Sequence, residues 1–77
     1  MDDREWIERF AAALGVDAPS QAEVDGLLAL AGVAAHASTR TAAPISCWVA
    51  ARAGVSVDDA RRVATSIVEQ EGASDRT

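Results

Sequence analysis

The chain has 77 residues, a formal net charge of −5, one cysteine and one histidine, and 49% of it is hydrophobic. So short a chain builds one core, which is expected over 1–72 with a polar tail at 73–77. The acidic balance argues against nucleic acid and anionic lipid as partners, Cys47 alone forms neither an internal disulfide nor a cysteine-built zinc site, and no apolar run reaches the roughly 20 residues that span a bilayer.

Residues 3–14 read as the first helix, capped by Asp2 or Asp3, with Trp6, Phe10, Ala13 and Leu14 on one face and Gly15 as its stop. Ser20-Gln21-Ala22-Glu23 is a capping box and opens a second helix over about 21–38. Val24, Leu27, Leu28, Ala31, Ala34 and Ala35 form its expected inner stripe. Gly26 and Gly32 interrupt it, and read either as points of close helix–helix approach or as tolerated surface glycines. A polar turn over 37–43 leads to Pro44, placed in the first turn of a third helix where its missing N–H costs nothing. Ile45, Trp48, Val49 and Arg52 share a face of that helix, and Gly54 ends it. Ser56-Val57-Asp58-Asp59 starts a fourth helix, with Val63, Ala64, Ile67 and Val68 expected inward. The fold class is therefore all-α, a compact bundle of four short helices.

Eighteen alanines make up much of the hydrophobic fraction, and large apolar side chains are scarce. Trp6, Phe10, Leu27, Leu28, Trp48 and Ile67 are the expected core. A core this thin stays marginal or gains area by self-association, so a homodimer is an expected partner state. Seven Arg without a single Lys, beside so much Ala, read as coding bias of a bacterial genome. Residues 1–10 are too charged for a signal peptide, and the expected address is cytoplasmic.

Few residues carry chemistry. His36 closes the second helix, where an imidazole caps carbonyls and gains from the dipole. Asp25 lies eleven residues before it and Cys47 eleven after, too sparse a set for a metal site. Cys47 in an Ala-rich helix reads as a small apolar residue and not as a nucleophile. No catalytic residue, cofactor or metal is expected. The stretch from Gly26 to Val57 has no acid, and its only charged residues are Arg40 and Arg52. Within it, His36, Arg40, Thr41 and Ser46 gather donors around a helix start, which suits a phosphate or carboxylate.

Residues 33–54, VAAHASTRTAAPISCWVAARAG, resemble a small bacterial domain family of undefined function. Its pattern is a helix ending in V-A-H, an R-P-A-A-P-L/I turn, and a helix ending near A-G. Trp6, Phe10, Leu14-Gly15-Val16 and the Leu27, Leu28, Leu30, Ala31 stripe are similar as well, so the likeness covers about 5–70. His36, Arg40, Ala42, Ala43 and Pro44 match the pattern; Thr41 departs from the first proline of the turn. Members stand alone or are fused to molybdenum-cofactor guanylyltransferase domains. The resemblance implies an accessory role near molybdenum-cofactor guanylylation, with the guanylyltransferase as protein partner, and it transfers no catalytic residue. The guanylyltransferase itself needs a Gly-rich nucleotide loop, which this sequence lacks. Three functions are thus expected in order: a non-enzymatic interaction module, a small anion- or nucleotide-binding module using the 36–46 turn, and a helical dimerisation domain.

Overall fold

The computed structural model of the chain describes residues 1–75, with side chains described as far as Glu71. Four helices follow one another: α1 (Asp3–Leu14), α2 (Gln21–Ala37), α3 (Ala42–Ala53) and α4 (Val57–Asp75), with no strand among the described residues. This is the all-α bundle of four helices that the periodicity predicts. The helix α4 runs to Asp75, and the remainder of the expected 73–77 tail lies outside the described residues.

Local chemistry sets the helix ends. Asp2 caps α1, its carboxylate accepting from the Glu5 amide at 2.8 Å. Gly15 closes that helix at φ 75°, where the Val16 amide donates to the Ala11 carbonyl and the Gly15 amide to Ala12, a Schellman arrangement. The capping box of α2 is complete in both directions: the Glu23 amide donates to Ser20 Oγ at 3.1 Å, and the Ser20 amide donates to Glu23 Oε1 at 2.9 Å. Gly54, at φ 73°, stops α3. Ser56 opens α4 by accepting from the Asp59 amide at 3.1 Å.

Helix α2 is the hub. Both α3 and α4 pack on it, and no other pair of helices packs closely among the described residues. The seam on α3 is made by Ala42, Ala43, Ser46, Cys47 and Ala50, all half-buried at helical spacing. The seam on α4 is made by Val57, Ala60 and Ala64. Small side chains let the axes approach, and one approach is very close. A Cβ added to Gly26 would meet Val57 Cγ1 at 2.6 Å, whereas one added to Gly32 would meet nothing within 4 Å. Gly26 is therefore the close-approach glycine, and Gly32 is the tolerated one.

The core differs from the expected one. Trp6, Phe10, Leu28, Trp48 and Ile67 are each more than half exposed, and Leu27 is half-buried. Among the described residues the buried apolar side chains are Ala11 and Leu30. The physical reason is that α3 and α4 carry two adjacent apolar stripes of unequal size. The small stripe faces α2, because closer axes gain more contact per turn, and the large stripe is turned to the side. Val63, Ile67 and Val68 of α4 are accordingly exposed, Val68 while still lining a cavity with Val33 and Ala37 of α2, and of the four expected inward only Ala64 is half-buried.

Candidate interaction surface

Because α3 and α4 both rest on α2 and hardly on each other, a groove opens between them. Leu30 forms its floor. Ile45, Val49 and Ala53 form one wall, and Val63 and Ile67 the other, with Val55 closing one end. The groove holds about 380 Å³, and Ser46 is the sole residue with a polar side chain along it. Its floor and one wall come from the stretch that carries no acid. Trp48, next to Val49 on α3 but outside the groove lining, is 61% exposed, with the Arg52 guanidinium over its ring at 5.4 Å. The charged side of α4 lies elsewhere: Asp58 pairs with Arg61, and Asp59 with Arg62.

The second apolar feature is on α1. Ile7 lines a cavity shared with Val24 and Leu28 of α2, and Ala11 beside it is buried. The neighbouring face carries Trp6, Phe10 and Leu14 as a ridge, all more than half exposed. Trp6 and Phe10 stack, with ring centroids 5.5 Å apart and planes at 12°. That stacking fixes the ridge before anything touches it. No residue of α1 lines the α3–α4 groove.

The residues expected to hold an anion are not gathered on one point. His36 is exposed at the end of α2 and opens toward Thr65 and Val68 of α4. Ser46 opens instead toward Leu30 and Ile67, inside the bundle. Arg40 and Thr41 are exposed in the turn between them. Thr41 occupies the cap position of α3 without capping it, and its hydroxyl pairs with that of Thr39 at 2.8 Å. Among the described residues the Arg40 guanidinium takes part in no ion pair or hydrogen bond. Cys47 is half-buried on the seam with α2.

Sequence reasoning turned Val63 and Ile67 inward and set Ile45 and Val49 on one face with Trp48, and so did not see a groove. The signal was present in residue size: on α3, the large residues at 45, 48 and 49 lie beside the small ones at 42, 43, 46, 47 and 50. Two apolar stripes on one short helix mean two surfaces to cover.

The model of the family described as Domain of unknown function (DUF6457) matches residues 2–76, and the chain belongs to that family. No curated protein and no solved structure matches the chain.

Proposed function

From that membership and from the exposed apolar faces, we propose that the chain is a non-enzymatic interaction module, an accessory protein that gives apolar helix faces to a protein partner. One observation carries the reading. The chain exposes 6025 Å², whereas a folded monomer of 8.0 kDa exposes about 4,450 Å². Large apolar side chains on α1, α3 and α4 are part of that exposed surface, which is how surfaces that receive a partner are built. The resemblance over 33–54 supports a molybdenum-cofactor guanylyltransferase as the partner. Trp48, large and exposed, has the character of an interface anchor. Titrating a purified guanylyltransferase domain with the chain, followed by calorimetry, is expected to give a saturable complex that Trp48→Ala weakens by about tenfold or more. Absence of heat at high micromolar concentration removes the guanylyltransferase as partner.

A second reading is a small anion-binding module on the 36–46 turn. The exposed guanidinium of Arg40, unpaired among the described residues and beside the start of α3, favours it. Titration with inorganic phosphate, following the amide shifts of residues 40–47, is expected to show a saturable, salt-sensitive response that Arg40→Ala abolishes. A wild-type protein without such a response rules this reading out.

A further inference from the structure

We infer that the occupant of the α3–α4 groove is α1 of a second copy of this chain, seated reciprocally in a two-fold dimer. The inference rests on the interaction-module reading and names the partner of one of its surfaces. The ridge of Trp6, Phe10 and Leu14 enters the groove walled by Ile45, Val49, Val63 and Ile67, above Leu30.

Three observations choose this occupant. The first is exposure. Trp6, Phe10 and Leu14 on the ridge and Ile45, Val49, Val63 and Ile67 on the groove walls are each more than half exposed, so both sides of the contact stand uncovered in the single chain. The second is shape. Both α1 and α3 have 12 residues, about 18 Å at the α-helical rise, so the ridge runs the length of the wall. In its own chain α1 meets the first turns of α2 through Ile7 and contributes no residue to the groove, which stays open. A fourth helix laid between α3 and α4 completes the packing that α2 begins, and a second copy supplies one. The third is charge. The groove is lined without an acid, and Arg52 stands at the C-terminal end of α3. The ridge begins beside Asp2 and Asp3. With α1 antiparallel to α3, these carboxylates meet Arg52, so the pairing has a direction as well as an apolar driving force.

Reciprocal seating means that each copy gives a ridge and receives one, so the dimer has two identical contacts. That property is testable. Phe10 and Val49 are both exposed within the single chain, so Phe10→Glu and Val49→Glu leave the helical circular dichroism in place. The wild type is expected to sediment at about 16 kDa, twice the 8.0 kDa of the chain. Each variant alone is expected to dissociate at least about tenfold more readily, because a carboxylate enters an apolar seat. Mixed, the two variants restore one intact contact, the ridge of V49E in the groove of F10E. Native mass spectrometry is therefore expected to show more mixed dimer than either variant forms with itself. A wild type that stays at 8 kDa overturns the inference, even where it still binds the guanylyltransferase, which keeps the interaction-module reading separate. Dimers of undiminished strength from either variant overturn it too, as does a mixture with no excess of mixed dimer.

Discussion

The seam between α2 and α3 and the groove beside it are built from the same helix by opposite means. The seam uses side chains no larger than cysteine, and all of them are half-buried. The groove wall on the same helix uses Ile45 and Val49, both more than half exposed. Usually the polar residues of a helix mark its outside. Here both faces are apolar and size divides them: small residues set the distance between axes within the chain, and large ones wait on the surface. Alanine buries little area, so the seam fixes geometry without supplying much stability. The area that would supply it lies in the groove and on the ridge. The proposed dimer would therefore add stability to a fold that the single chain already forms, and on that proposal the thermal midpoint rises with concentration.

The strongest way to break the comparison is to attack the one large side chain that belongs to both regions. Leu30 is 3% exposed, sits on the hub, and floors the groove. Leu30→Ala removes its packing with α3 and α4 together and is expected to cost about 2–5 kcal/mol, enough to unfold a domain of this size. Leu28, two positions away on the same helix, is 66% exposed, and Leu28→Ala is expected to cost no more than about 0.5 kcal/mol. Urea titrations of the two variants at one protein concentration check the contrast. Equal losses would mean that the inward direction of α2 has been misassigned.

Much of this fold was legible in the residues because helix ends are local. Asp2, Gly15, the Ser20–Glu23 box, Gly54 and Ser56 each act through bonds to amides within a few positions, and each does what its residue type suggests. The direction each helix faces is not local. Periodicity finds a stripe, but when a helix carries two apolar stripes it does not say which one meets the neighbour. That is why Trp48 and Ile67 were expected inside and Leu30 was left out of the inner stripe of α2. The candidate surface was hidden for the same reason, since a groove is a relation between walls on two different helices, Ile45 and Val49 on α3 and Val63 and Ile67 on α4. The turn at 36–46 shows the converse limit. Nearness in sequence put His36, Arg40, Thr41 and Ser46 in one group, yet the turn of the chain sends His36 and Ser46 toward different cavities.

The finest test of the seam is the pair of glycines in α2, six residues apart in one helix and opposite in their surroundings. An alanine in either place gains helix propensity, up to about 1 kcal/mol relative to glycine, partly by restricting the unfolded chain. At Gly32 nothing opposes that gain, since the new methyl group has no neighbour within 4 Å. Gly32→Ala is expected to stabilise by up to about 1 kcal/mol. At Gly26 the methyl would stand 2.6 Å from Val57 Cγ1 and 3.5 Å from its Cβ. Val57 is β-branched at the first position of α4, so it has little rotameric freedom to withdraw, and α4 itself must shift. Overpacking of this kind costs about 1–3 kcal/mol, which outweighs the propensity gain, and Gly26→Ala is expected to destabilise. The double-mutant cycle with Val57→Ala isolates the cause. In the V57A background the obstructing Cγ1 is gone, so Gly26→Ala should lose its penalty and show the same gain as Gly32→Ala, a coupling of about 1–3 kcal/mol. Thermal melts of the four combinations at a fixed chain concentration measure it. A Gly26→Ala penalty that persists in the V57A background would place the close approach somewhere other than the α2–α4 seam.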